Sequence, residues 1–269
     1  MEKAIEYFAI LGGLDTDINL DRPLLELIQK HILKEYRFLR NDVSVLTNGD
    51  TIYHTILTGL ALGDRRTNSA FKRAKVSFDN GIDDIDALCD LNVVTLERSQ
   101  KHLTNQYRSE TVSEKLLFNA PFLRFWFAFV SPIFKGIKEK NYDEFFKRFE
   151  SRKDEYTALV FEQLSHAFLQ TMIEDDPIKQ IGRYWDDNND LDIIAKTKSG
   201  KIIAGSCKFS SSKVKKTLLT KLKETCKNIE VEADIYVLFS NKGYTTELKN
   251  MKGPELKLYT SKSLKALIL

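Results

Sequence analysis

Two acidic residues and a lysine lie on neighbouring apolar runs in the C-terminal third of the chain. Residues two apart on a strand share a face, so Asp190 points the same way as Asp192, and Ser206 the same way as Lys208. A tight turn at residues 198–201 would let the two strands pair. Pairing of this kind is expected to bring Asp192 and Lys208 together at one end of a sheet.

A third acid precedes them on a predicted helix, Tyr156–Met172, from which Glu162 can lean over the same end of the sheet. Carboxylates hold Mg²⁺ or Mn²⁺, and the metal polarises a phosphoryl oxygen and lowers the pKa of a bound water. A nearby lysine can stabilise the developing charge. The set predicts a phosphodiester nuclease centre with Glu162 and Asp192 as catalytic metal ligands, Asp190 as an auxiliary ligand and Lys208 as the catalytic cation.

A lysine-rich stretch adjoins this candidate centre. Residues 196–227 hold ten lysines and one acid, Glu224. The apolar stripe of a helix predicted over Val214–Cys226 leaves these lysines on the outside, where they can follow a phosphate backbone. The predicted DNA-binding residues are Lys213, Lys215, Lys216 and Lys221. A solvated lysine-rich helix without a ligand is the alternative.

Residues 51–118 show three helical patterns followed by two β-rich runs, which is the order of a winged helix. The third helix carries five carboxylates, which would repel phosphate: Asp79, Asp83, Asp84, Asp86 and Asp90. The predicted wing is more basic, with Arg98, Lys101, His102 and Arg108. A scaffold or protein-contact role is therefore favoured over direct DNA binding. The aromatic segment 122–130 is expected to be a buried helix.

Composition excludes several classes of protein. The formal net charge is +3, and the three cysteines are widely spaced without a CxxC pair, so neither a disulfide framework nor a zinc site is expected. The N-terminal apolar run is too short for a signal peptide, and no window is apolar enough to span a membrane. A reduced, cytoplasmic protein without membrane contact is predicted.

The hairpin sequence WDDNNDLDIIAKTKSGKIIAGSCKFS resembles the D-x(n)-(D/E)-x-K motif of restriction-endonuclease-like enzymes. Asp192 matches the first aspartate, and Ser206-Cys207-Lys208 matches the triplet. Residues 52–269 also resemble the C-terminal half of the archaeal-type AAA ATPase family. In that family a winged helix is followed by segments like NAPFLRFWFAFVSP and ALVFEQLSHAFL and by a nuclease-like hairpin.

The chain departs from this resemblance in two ways. It has no GxxxxGK[ST] phosphate loop, so ATP is not an expected cofactor, and a protein partner such as a separate ATPase, or a homodimer, is a candidate assembly. Ser206 stands where the motif has an acid, which weakens metal binding. An active divalent-metal nuclease and an inactive nuclease fold that binds DNA or protein therefore both stay open.

The predicted fold class is α/β (α+β), with a helical, winged-helix-like part followed by a restriction-endonuclease-like domain around a small mixed sheet. Four segments are predicted: a helical N-terminal segment (1–50), a winged-helix-like domain (51–118), an aromatic helical bridge (119–155) and a nuclease-like domain (156–269).

Overall fold

A computed structural model describes residues 1–103, 113–172 and 175–268 of the chain. In chain order, its helices are α1 (Glu2–Leu11), α2 (Leu24–Ile28), α3 (Tyr36–Leu46), α4 (Thr51–Leu62), α5 (Thr67–Ala74), α6 (Phe78–Asp90), α7 (Pro121–Phe125), α8 (Phe134–Lys138), α9 (Asp143–Met172), α10 (Lys216–Asn228) and α11 (Thr246–Asn250). The strands are β1 (Val94–Glu97), β2 (Lys115–Phe118), β3 (Ile178–Trp185), β4 (Asp190–Thr197), β5 (Ile202–Lys208), β6 (Ile235–Ser240) and β7 (Leu256–Thr260). The predicted α/β class is confirmed.

The chain divides into two compact units. The sheet unit comprises Met1–Ile5, Arg98–Val112 and Asp154–Leu269, and the helical unit comprises Glu6–Glu97 and Ser113–Lys153. The division into four predicted segments stays a prediction. Every helix within the described ranges is too short or too polar to cross a lipid bilayer.

The helical unit contains the predicted order of three helices and two strands. Asp50 caps α4, because its Oδ1 accepts a hydrogen bond from the Ile52 amide at 2.6 Å, and Ser77 caps α6 in the same way. Strands β1 and β2 pair antiparallel, with Val94 opposite Phe118. The element order is confirmed, whereas the identification as a winged helix stays a prediction.

The predicted aromatic core is confirmed. A π-helical segment, Trp126–Val130, continues α7, and all five of its residues are buried. Phe125 packs on Phe129 at 5.4 Å between ring centroids and on Phe149 at 6.0 Å. Such tilted and edge-to-face pairs add to the energy of apolar burial, so these contiguous aromatic residues form core.

The sheet unit is built on a five-stranded mixed sheet with the order β3-β4-β5-β6-β7. The first three strands are antiparallel, and β6 and β7 continue parallel to β5. The tight turn between β4 and β5 is confirmed, and Gly200 adopts a φ of 96° there. Parallel pairing of β5 with β6 requires a crossover, which α10 provides.

Two apolar clusters cover the sheet. Ile193 packs in a cluster with Phe161 and Phe168 of α9, whereas its neighbour Ile194 packs in a cluster with Leu222 of α10. Consecutive strand residues point to opposite faces, so α9 and α10 cover opposite faces of the sheet.

The first strand of the sheet, β3, was not predicted from the sequence. Its pairing with β4 is interrupted by register shifts between Ile178 and Gln180 and between Gly182 and Tyr184. These irregularities remove the period-two alternation that identifies a strand, and β3 carries Lys179, Gln180 and Arg183 among its apolar residues.

The segment that leads to two predicted wing residues, Lys101 and His102, lies beside β3. The Gln100 amide donates to the Arg183 carbonyl at 2.9 Å, and Ser99 Oγ accepts from the Trp185 amide at 2.8 Å. Lys101 and His102 follow in a short 3₁₀ helix, within the sheet unit. The tertiary hydrogen bonds of Ser99 and Gln100 place these two residues against the outer edge of β3, and their assignment to a wing stays a prediction. Arg108 lies outside the described residues.

Candidate functional site

The helix α9 carries two polar side chains towards the sheet. Glu162 and His166 are four residues apart, which places them on the same face of the helix. The Glu162 side chain is only 11% exposed, so its charge requires a partner. That partner is Arg183 of β3, whose Nη1 lies 2.8 Å from Glu162 Oε1.

Strand β4 bulges where it carries Asp192. Gly182 pairs with Ile194 and Tyr184 pairs with Leu191. Between these two pairs β4 therefore contains one more residue than β3. Bulges re-aim side chains and are common beside functional sites. Here the bulge lies opposite Arg183, and Arg183 Nη2 is 3.9 Å from Asp192 Oδ1.

The other carboxylate oxygen of Asp192 accepts hydrogen bonds from β5. Asp192 Oδ2 accepts a hydrogen bond from Ser206 Oγ at 2.9 Å and another from the Cys207 amide at 2.8 Å. The regular β4–β5 pairing ends at Ile193 and Gly205, so this carboxylate replaces the next backbone acceptor. The Asp192 carbonyl oxygen lies 2.8 Å from His166 Nε2, which must be the donor because a carbonyl can only accept.

Arg183 is the point at which the three acids meet. Its Nη2 is also 3.1 Å from Asp190 Oδ1, so one guanidinium contacts Glu162, Asp190 and Asp192. The arginine side chain is 11% exposed, compared with 26% for Asp192 and 47% for Asp190. A planar guanidinium has five donors and is suited to bind several carboxylates at once.

These side chains do not fit a divalent metal ion in this arrangement. The guanidinium of Arg183 occupies the position towards which the carboxylates point, and the neutral oxygen of Ser206 is used to donate to Asp192. Across residues 1–103, 113–172 and 175–268, no three His, Cys, Asp or Glu side chains are grouped so that they could hold a metal. The present geometry is that of an ion-pair network centred on the largely buried Arg183 and Glu162.

Lys208 is not one of the ion-pair partners in this network. It is exposed at the end of β5, where it pairs in register with Ser240 of β6, and the structure gives its ammonium group no ion pair with Glu162 or Asp192. The structure thus brings Glu162, Asp190 and Asp192 together but not Lys208. The catalytic and metal-binding roles assigned to these residues stay predictions.

The thiol of Cys207 faces the α9 side of the sheet and packs in the apolar cluster there. Burial raises its pKa well above the ordinary value, and the carboxylates of Asp192 and Glu162 raise it further. The thiol is therefore protonated at neutral pH, which makes it a poor nucleophile. Cys207 is a partly buried residue that packs against this cluster.

The lysines predicted to bind DNA are all exposed. They lie in the segment that leads into α10 and on α10 itself: Lys213, Lys215, Lys216 and Lys221. The buried residues of α10 include Leu219 and Leu222, so the predicted direction of the lysine face is confirmed. An acid lies near one of them, since Glu247 Oε1 of α11 is 3.3 Å from Lys216 Nζ.

Two residues of the site were missed at the level of sequence. His166 had a usable signal, because its spacing from Glu162 on a helix predicts a shared face. No sequence signal pointed to Arg183. The strand that carries it was not recognised, and the acids that pair with Arg183 lie on other elements.

The comparisons with known proteins are limited to one region. Residues 126–220 match the model of a family described as archaeal and bacterial proteins of unknown function. No curated protein and no solved structure matches the chain. The matched region begins in the aromatic core, covers α9 and strands β3 to β5, and ends within α10. The chain therefore contains, over about a third of its length, a domain found in archaeal and bacterial proteins of unknown function.

Proposed function

We propose that the sheet unit is a restriction-endonuclease-like module that binds duplex DNA through the lysines around α10 and does not cleave it by a divalent-metal mechanism. The element order supports this fold: a helix, three antiparallel strands, a crossover helix and a parallel strand. The same order carries the hairpin that resembles the D-x(n)-(D/E)-x-K motif. A nuclease-like fold does not by itself imply nuclease activity, so the proposal about cleavage is argued from the geometry of the site.

The observation that carries DNA binding is the exposed lysine face. Lys213, Lys215, Lys216 and Lys221 lie outside the buried stripe of α10, and Lys223 is also exposed. The helix has 13 residues and is about 20 Å long. Over such a distance a DNA duplex presents about a dozen phosphate charges, and neutralising phosphates releases counterions. A face of this kind favours binding without sequence readout.

The absence of metal-dependent cleavage is proposed from the ion-pair network. Cleavage of this type needs carboxylates free to hold a cation beside the scissile phosphate. Glu162 and Asp190 instead contact Arg183, and Asp192 accepts from Ser206 and the Cys207 amide. A serine at the acid position of the motif removes one further negative charge.

A metal-dependent nuclease is the second candidate, and one observation favours it. Three carboxylates already converge on a single cationic group, Arg183. If Mg²⁺ or Mn²⁺ displaced the guanidinium, the same oxygens would become ligands. The two candidates differ in whether cleavage depends on Asp192.

The binding half is tested by fluorescence anisotropy with a labelled 20-base-pair duplex. Replacing Lys213, Lys215, Lys216 and Lys221 with Gln should weaken binding at least tenfold. The matched control replaces four exposed lysines elsewhere in the sheet unit: Lys249, Lys252, Lys262 and Lys265. The control should weaken binding only about twofold. Equal losses in the two variants would contradict the proposed DNA-binding face.

The cleavage half is tested with supercoiled plasmid and Mg²⁺ or Mn²⁺. We expect the natural protein to nick the plasmid no faster than an Asp192→Ala variant. Nicking that is present in the natural protein and lost in this variant would reject the proposal and establish the nuclease.

A further inference from the structure

The helical unit contains a cavity of about 570 Å³ that is lined by cations and aromatic rings. It lies between the segment around the start of α3 and the segment that follows α8. Its volume is within the range of small-molecule sites. The side chains that matter for its chemistry are Lys34, Arg37, Phe38, Lys138, Lys140 and Tyr142.

The charged side chains that line this cavity are all positive. Four of its lining residues, Lys34, Arg37, Lys138 and Lys140, are cationic, and none is acidic. All four are exposed, and in the structure as described none of them makes an ion pair with a carboxylate. A concave surface with one sign of charge attracts counter-ions of the other sign, so the cavity is suited to an anion.

The aromatic rings give the cavity a second property. Phe38 is 73% exposed, and exposure of so large an apolar side chain to water is unfavourable unless something covers it. Tyr36, which also lines the cavity, is held by stacking on Trp126 with 5.6 Å between centroids and 9° between planes. Exposed rings next to cations form the stacking platforms on which nucleic-acid bases bind.

Lys140 has a left-handed backbone conformation in the turn that follows α8. Its φ is 61°, in the left-handed region, which is unfavourable for a residue with a Cβ. The turn that imposes this conformation is closed by the Asn141 amide, which donates to the Gly136 carbonyl at 2.9 Å. This turn fixes the backbone position from which Lys140 lines the cavity.

A second cavity, of about 300 Å³, shares Tyr36 with the first. Its lining adds Arg40 and two aromatic residues, Trp126 and Phe134, and Phe134 is 41% exposed. The second cavity therefore also combines a cation with aromatic rings. A second nucleotide of a bound strand could use this combination in the same way as the first.

We infer that the first cavity binds a nucleotide: its phosphate is held by Lys34, Arg37, Lys138 and Lys140, and its base stacks on Phe38. The nucleotide is either free or part of a single strand, and in the second case the adjoining cavity receives its neighbour. This inference does not rest on the proposed DNA binding by α10, because its residues belong to the helical unit.

The test uses the full chain and calorimetric titration with adenosine monophosphate, adenosine and inorganic phosphate, together with anisotropy of a labelled ten-nucleotide thymidine strand. The monophosphate or the strand should bind, and adenosine and phosphate should each bind at least tenfold more weakly. Phe38→Ala should weaken binding of the nucleotide ligand by about five- to a hundredfold, and Arg37→Gln should weaken it at least threefold. Binding of the strand alone identifies a polynucleotide as the source, and binding of both identifies a free nucleotide as sufficient.

Two matched variants in the same unit serve as controls: Phe78→Ala, which removes a phenylalanine 57% exposed on α6, and Lys72→Gln, which removes an exposed charge on α5. Both should bind like the natural protein. The inference is overturned if neither the monophosphate nor the strand binds, if phosphate binds as tightly as the nucleotide ligand that does bind, or if Phe38→Ala and Phe78→Ala behave alike. The variant lacking the four α10 lysines should keep its affinity for the monophosphate, which separates this site from the duplex-binding face.

Discussion

Ser206 donates a hydrogen bond to Asp192, with 2.9 Å between Ser206 Oγ and Asp192 Oδ2. The serine stands where the nuclease motif has an acid, and its hydroxyl does what a carboxylate could not do, since two carboxylates at this distance repel each other unless a cation separates them. The serine therefore joins β5 to β4 through a hydrogen bond to Asp192.

Replacement of Ser206 should reveal this adaptation. Ser206→Ala loses one hydrogen bond and should lower the free energy of unfolding by about 1 kcal/mol. Ser206→Glu places a second negative charge beside Asp192 and should cost about 2 kcal/mol or more in EDTA, with part of the loss recovered in Mn²⁺. Urea denaturation with EDTA or Mn²⁺ measures both. If Ser206→Glu is as stable as Ser206→Ala in EDTA, the two side chains do not face each other as described.

Removal of Arg183 should convert the ion-pair network into a cation site. Arg183→Met leaves Glu162, Asp190 and Asp192 without their shared partner and should destabilise the protein by about 3 kcal/mol. Mn²⁺ should then raise the thermal midpoint of the variant more than that of the natural protein.

Arg183→Lys is the matched control, because it retains a positive charge and should respond little to Mn²⁺. An equal rise of the midpoint in the natural protein and in Arg183→Met would mean that the guanidinium does not occupy the cation position.

The salt dependence of duplex binding should report single lysines of the α10 face. Lys221→Gln should reduce the slope of log affinity against log salt by about one, because one phosphate contact is lost. Lys262→Gln, an exposed lysine elsewhere in the sheet unit, should leave the slope unchanged. Anisotropy titrations between low and moderate salt measure both slopes. Unchanged slopes in both variants would remove Lys221 from the contact surface.

The acid that partners Lys216 gives an independent check of the same face. Glu247 Oε1 lies 3.3 Å from Lys216 Nζ, and both side chains are more than half exposed. Glu247→Gln releases this lysine and removes a charge that repels phosphate, so duplex affinity should rise about two- to fivefold. A loss of affinity in anisotropy titrations would be inconsistent with DNA bound at this end of α10.

His54 should make the helical unit less stable in acid. Burial lowers the pKa of its imidazole below the ordinary value of 6.5, and Arg40 lowers it further. The unfolded state therefore binds a proton more readily than the folded state, and stability present above pH 6.5 is lost as the pH falls through the lower, folded-state pKa. His54→Gln should abolish this part of the pH dependence of unfolding between pH 7.5 and 5. A variant that keeps the full dependence would assign it to other groups.

Much of the fold follows from local patterns. The apolar stripes of α9 and α10 recur at helical spacing, and the two strands around the turn with Gly200 are apolar runs that the sheet buries on both faces. The limits of α10 were predicted to within two residues, whereas α9 begins earlier than predicted, at Asp143. Strand β3 was not predicted because two register shifts interrupt its alternation of inward and outward side chains.

For the candidate site, the sequence by itself determined which residue types were available and which faces they share: Glu162 on an inward face of a helix, Asp190 and Asp192 at the start of a strand, and lysines on the outside of α10. Only the tertiary structure decided that the three acids meet on Arg183 and that Lys208 stays apart. The physical reason is that a Coulomb interaction depends on the distance between charges, and here the register of β3 against the bulged β4 sets that distance. No local pattern in the chain encodes such a register.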